Sequence, residues 1–389
     1  MAQMAQVAQM AEVLGEVSQA AAHAPHRFYR PELDGLRFYA FLGVFIFHTL
    51  PGQAAFYRSL HLPMPWLWGA VAKSGGAGVD LFFALSAFLI TSLLLREQGQ
   101  RGEISLRWFY IRRILRIWPL YFVVVSLGIV LAHTMPSQSL PWYYVAGYVL
   151  FAGNWVHAVF GHPRSVCYPL WTVSIEEQFY LIWPALMMML ERRGMIIAGF
   201  TTFLLATASQ AAIAVAGLSG GYIYYGSASR CDSLALGVLL ALFANRLPAL
   251  THRIRWLLVS GGLIGWVISS AWLVDRPGPV TACMALGRLI VSLASGAILY
   301  GCLYGSSKLL RGSLIVSLGK ISYGLYLLHL VGLLIVQSLF HPGRGWQLLA
   351  TKALGFVMTV ILAFASYRWI ESPFLRLKDR FATVLSRPV

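Results

Sequence analysis

The sequence predicts an all-α membrane protein: a bundle of about ten transmembrane helices with one short interfacial or re-entrant helix and both termini in the cytosol. Three observations lead there. Of 389 residues, 58% are hydrophobic and only 11% charged, which leaves too little polar surface to coat a water-facing globule. Apolar stretches recur at lengths that match about 30 Å of hydrocarbon. Lys and Arg, finally, collect in alternate connections between those stretches.

In chain order, residues 36–50, 76–95, 117–134, 170–190, 195–216, 231–246, 255–274, 282–304, 315–340 and 348–370 read as spans. Segment 141–152, PWYYVAGYVLFA, is shorter and begins with aromatic residues, which suits a helix lying at the interface. Basic residues test that choice. With a cytosolic N-terminus, the inner connections hold Arg96 to Arg116, then Arg192 and Arg193, then Arg246 to Arg255, then Lys308 to Lys320, and the tail adds Arg376, Lys378 and Arg380. If 141–152 crossed, every later basic loop would fall outside. Residues 1–26 lack the basic start and leucine-rich centre of a signal peptide and read as a weakly ordered or amphipathic cytosolic leader. Residues 27–380 then form one membrane domain and 381–389 a cytosolic tail. No internal repeat is visible.

The net charge of +16 does not point to nucleic acid, because the cations lie between apolar segments and form no single solvated patch. Of the four cysteines none stands in a CxxC pair or at metal-site spacing, so no metal and no permanently bound cofactor is expected. Cys167, Cys231 and Cys283 fall near the outer face, where a disulfide is chemically permitted but no pairing is specified.

Ionisable residues inside apolar segments carry the functional signal, since hydrocarbon makes them costly unless they face a polar interior. In RPELDGLRFYAFLGVFIFH, Arg37 and His48 stand eleven residues apart, about 20° around a helix and roughly 16 Å along it. One face therefore carries both. A neutral imidazole there can take a proton from an alcohol or accept an acyl group; the alternative is a histidine that hydrogen-bonds a neighbouring helix. In PLWTVSIEEQFYLIWPAL, adjacent carboxylates point about 100° apart. Glu176 shares a stripe with Thr172 and Tyr180 and is the candidate catalytic carboxylate, to orient or charge-stabilise an imidazole or to contact a hydroxylated acceptor, against a structural bond to another span. Arg112, Arg113 and Arg116 cluster before Pro119 and suit the phosphates of a nucleotide-bearing donor, or equally positive-inside topology and anionic lipid. Asp80, Arg230 and Asp232 join Arg37 as candidate substrate contacts. Ser86, among small residues, reads as a packing position. Tyr323, Tyr326 and His329 cluster in GKISYGLYLLHL, with His329 read as a satisfied core histidine, and WIESPF reads as a terminator.

Together these stretches resemble the acyltransferase-3 family of integral membrane O-acyltransferases. The resemblance rests on RPELDGLR with His48 beyond it, GVDLFFALSAFLI, RRILRIWP, LWTVSIEEQFYLIWP, SRCDSLALG, ISYGLYLLHL and ESPF, in that order. It implies a ten-span bundle that takes an acyl group, most simply acetyl, from a coenzyme A thioester in the cytosol and delivers it to a hydroxyl of a carbohydrate or other hydroxylated acceptor. It also implies that Arg37 and His48 are the essential pair, that Arg113 and Arg116 match the family's basic motif, and that Glu176 matches its carboxylate, in a bacterial inner membrane. Ala87, Thr172 and Leu328 depart from the usual glycine, serine and tryptophan. A proton-coupled transporter or lipid flippase is the rival expectation, with His48 and Glu176 as a relay.

Overall fold

The computed structural model describes residues 28–270, 281–303, 305, 307–340, 343–382 and 384; the expected leader and most of the expected tail lie outside them. Among the described residues the chain is helical throughout, with no strand.

The first helix, α1 (Pro31–Thr49), opens with a proline whose missing N–H is one the first turn does not need. Two short helices follow, α2 (Ala54–Ser59) and α3 (Pro65–Ser74), and a single 3₁₀ turn leads from α3 into α4 (Gly78–Arg101). Sequence periodicity did not reveal α2 and α3, whose exposed Trp66 and Trp68 suit a membrane–water boundary. Then come α5 (Leu106–Thr134), α6 (Trp142–Val149), α7 (Gly153–Phe160), α8 (Leu170–Met189) and α9 (Arg192–Val215). The expected short segment 141–152 holds α6, and a turn at Phe151 with φ 52° leads into a second short helix, α7, beyond it. The chain continues through α10 (Gly220–Tyr225), α11 (Ser227–Phe243), α12 (His252–Ile268), α13 (Ala282–Cys302), α14 (Lys308–Arg311), α15 (Ser313–Lys320), α16 (Ser322–Leu339), α17 (Trp346–Ser366) and, after one π turn, α18 (Ser372–Asp379).

Among the described residues, seven helical stretches are long and apolar enough to cross a membrane: 65–101, 106–134, 192–215, 220–243, 282–302, 322–339 and 346–379. The chain is a multi-pass integral membrane protein. Three more expected spans fall on helices that are more polar or shorter: α1 and α8 carry ionisable groups, and α12 has 17 residues, with residues 271–274 of its expected span outside the described residues. The expected span 315–340 is broken at Ile321, because Gly319 lies so close to the Asp34 carbonyl that α15 is fixed on α1 while α16 turns into the bundle.

Large apolar side chains such as Leu204, Leu205, Val215, Leu257 and Phe364 face outward, whereas Asp80, Asp232, His329 and Ser292 are fully buried. That polarity is the reverse of a soluble protein's. Lipid supplies no hydrophobic drive between helices, so close backbone approach and interhelical polar bonds hold the bundle together. The α4–α11 contact shows the first device: Gly237 lies against the Ala84 carbonyl, where a Cβ has no room. The pairs α12–α13, α9–α11 and α16–α17 also pack closely against each other.

Candidate active site

A cavity of about 150 Å³ runs between α1, α4, α5, α8 and α16. Its cations are Arg30 and Arg37 from α1 and the residue before it, Arg113 and Arg116 from α5, and Lys378 from α18. Depth along the helices places the other end. On α1 the lining stops at Arg37, on α16 it stops at Tyr326, and on α8 and α4 it begins at Thr172 and Val79. The cavity, a slot between these helices, is far below the roughly 300–1,000 Å³ of a pocket that encloses a bulky ligand.

Arg37 reaches the cavity and pairs with Asp34 Oδ1 at 3.1 Å, one turn back on the same helix. Glu176 lines it as well and accepts a hydrogen bond from Ser86 Oγ at 2.6 Å. Ser86 is therefore more than a packing residue. Glu177 turns away, toward α5, where Trp118 Nε1 donates to it at 3.4 Å. Thr172 Oγ1 and the Tyr326 hydroxyl lie 3.0 Å apart across the cavity's inner end.

The three arginines of α5 separate. Arg113 and Arg116 face the cavity, and Arg113 stacks its guanidinium over Phe109 and Tyr180. Arg112 does not line it. Its Nη2 donates to Glu97 Oε2 at 2.6 Å and its Nη1 to the Phe381 carbonyl at 2.9 Å, so it ties α5 to α4 and to the chain after α18. Consecutive helical residues differ by about 100° in direction, and one face cannot hold all three.

Asp80, Arg230 and Asp232 are also placed away from the cavity, fully buried between α4, α9, α11 and α13. Arg230 and Asp232 do not meet each other, since positions two apart on a helix face nearly opposite ways. Arg230 Nη1 lies 3.2 Å from Asp80 Oδ1, and Asp232 accepts from Gln210 Nε2 at 2.9 Å. Arg288 of α13 completes the cluster, donating from Nη2 to Asp80 Oδ1 at 2.6 Å. Sequence reasoning missed Arg288, although an arginine inside an apolar stretch is the signal that identifies such residues. All four cysteines are free, with Cys167 buried beside the Val124 carbonyl.

His48 sits on α1 three turns beyond Arg37, past the inner end of the cavity, and does not line it. Its Nδ1 lies 3.0 Å from His329 Nε2 of α16, with the rings stacked at 4.9 Å between centroids. His329 is fully buried, and its Nδ1 lies 2.7 Å from the Tyr326 carbonyl. Tyr168 meets the His48 ring edge-on at 5.5 Å. Tyr326 thus closes the slot with its hydroxyl and holds the second histidine with its carbonyl. The two stacked imidazoles therefore lie beyond the inner end of a slot lined by cations.

A family model described as an acyltransferase domain matches residues 30–368. The chain belongs to the acyltransferase-3 family. This acyltransferase-family chain is 30% identical to YrhL of Bacillus subtilis (strain 168), provisionally named a peptidoglycan O-acetyltransferase, over 90% of the chain and 55% of that protein. It is 29% identical to the peptidoglycan O-acetyltransferase OatA of Listeria monocytogenes, over 89% of the chain and 56% of that protein. To SAS0844 of Staphylococcus aureus (strain MSSA476), provisionally named an O-acetyltransferase, it is 27% identical over 89% of the chain and 57% of that protein. The chain thus spans about half the length of the curated relatives it matches. No solved structure matches it.

Proposed function

We propose that the chain is a membrane-embedded O-acyltransferase that moves an acetyl group from its coenzyme A thioester to a hydroxyl of a cell-surface carbohydrate, through a bundle of about ten spans with cytosolic termini. The observation that carries this reading is the His48–His329 pair lying beyond the inner end of a slot lined by five cations. Phosphates of the donor would meet Arg113, Arg116 and Lys378, and guanidinium forks suit them. The thin arm of the donor would run along the slot, where Glu176, which lines it, would accept from an amide N–H.

His48 is the proposed catalytic base. The acceptor hydroxyl gives its proton to the imidazole while its oxygen attacks the thioester carbonyl; the carbon–sulfur bond breaks, and the leaving thiolate takes the proton back from the imidazolium. The products are an ester and a free thiol. Orientation of the base supplies much of such a rate gain, and general base catalysis itself contributes about 10²–10⁴-fold. For the donor carbonyl to reach His48, the Thr172–Tyr326 bridge must part. Family membership and the names of the relatives favour this reading over a transporter.

The test is purified protein in lipid nanodiscs with labelled acetyl-coenzyme A and a panel of oligosaccharides, including peptidoglycan fragments, followed by mass spectrometry. Ester-linked label on a glycan is the expected result. Solute movement into vesicles with no thioester consumed would replace the reading with transport.

A further inference from the structure

We infer that His329 is the positioning residue that fixes which nitrogen of His48 is reactive: it holds the Nδ1 proton of His48 and leaves Nε2 as the free lone pair. The inference deepens the acyl-transfer reading and rests on it only for the kinetic part of its test.

A carbonyl can only accept, so the 2.7 Å contact between His329 Nδ1 and the Tyr326 oxygen requires the proton of a neutral His329 on Nδ1. Its Nε2 is then a bare lone pair. That lone pair faces His48 Nδ1 at 3.0 Å, and two lone pairs do not meet at such a distance, so His48 Nδ1 carries the hydrogen. With Nδ1 protonated, a neutral His48 has Nε2 for proton abstraction or for acyl attachment.

His329 is fully buried, and Phe41 and Phe45 lie against its ring with centroids 6.3 and 6.4 Å away. Among the described residues, the hydrogen-bond partner of its Nε2 is His48. When His48 takes a proton at Nε2, the Nδ1–H bond to His329 becomes charge-assisted and strengthens, the role a third group plays behind a catalytic imidazole. His48 was the conspicuous residue in the sequence, yet its chemistry is set from 281 positions away.

Two measurements test this. The first needs no activity. In ¹⁵N-histidine-labelled full-length protein in lipid, the signals absent from His48→Ala identify the His48 ring, and solid-state NMR reads its tautomer. The expected result is a protonated Nδ1 and an unprotonated Nε2; the opposite tautomer overturns the inference whatever the protein catalyses. The second is kinetic. His329→Gln keeps a carboxamide oxygen to accept from His48 Nδ1, whereas His329→Leu offers none. Turnover should stay within about tenfold of wild type in the first and fall at least about a hundredfold in the second, at unchanged donor KM. Equal turnover in both variants overturns the positioning role. If wild type transfers no acyl group to any acceptor, the acyl-transfer reading fails while the NMR result still decides the tautomer.

Discussion

Replacing Asp80 with asparagine separates a structural cluster from a substrate contact. Asp80 Oδ1 is 2.6 Å from Arg288 Nη2, 3.2 Å from Arg230 Nη1 and 3.0 Å from Ser233 Oγ, and its residue has no exposed surface. Asparagine preserves the shape but removes the only negative charge within ion-pair distance of either guanidinium among the described residues. Breaking one buried pair costs about 3–5 kcal/mol, and here two cations lose the same partner, so the upper end, about 5 kcal/mol, is expected. That corresponds to a drop of roughly 10³–10⁴-fold in the folded-to-unfolded ratio. Reversible unfolding in mixed detergent micelles, followed by tryptophan fluorescence, measures it. A double variant, Asp80→Asn with Arg288→Met, should recover about 2 kcal/mol, because one uncompensated cation goes with the carboxylate. If Asp80→Asn unfolds within about 1 kcal/mol of wild type yet loses transfer, the cluster is a substrate contact and the reasoning fails.

Arg116→Ala should raise the KM for the thioester about tenfold with little change in stability, whereas Arg112→Ala should leave that KM unchanged and lower the unfolding midpoint, because Arg112 serves Glu97 and the Phe381 carbonyl; steady-state kinetics and melting curves distinguish them. Tyr326→Phe removes the bond to Thr172 across the slot, worth ~1 kcal/mol, so thioester hydrolysis without an acceptor should rise about fivefold in a thiol-release assay. Gly237→Ala forces a methyl against the Ala84 carbonyl and should destabilise the α4–α11 contact by about 1–3 kcal/mol, read as a lower unfolding midpoint with unchanged KM.

Much of this was legible in the sequence, and the limits have a physical pattern. Helical periodicity separated Glu176 from Glu177, because direction around one helix is a local property. The same geometry could not show that Ser86 serves Glu176 or that His329, which reads as a satisfied core residue, meets His48; both bonds join helices far apart in the chain. Arg230 and Asp232 looked like a pair because they are close in sequence, yet their opposite directions send them to different neighbours. Hydropathy found the long helices but not α2 and α3 as separate elements, because six and ten residues lack the run length of a span. The break at Ile321 was hidden because its cause, the Gly319–Asp34 approach, is a tertiary contact.

The account's central claim is that His48 performs the transfer. The most direct measurement is single-turnover transfer of labelled acetyl from coenzyme A to a competent glycan by wild type and His48→Ala, with folding of both verified by circular dichroism in the same nanodiscs. Loss of at least about 10³-fold in the variant, with donor binding retained, is the predicted result. Ester formed by His48→Ala at the wild-type rate would contradict it.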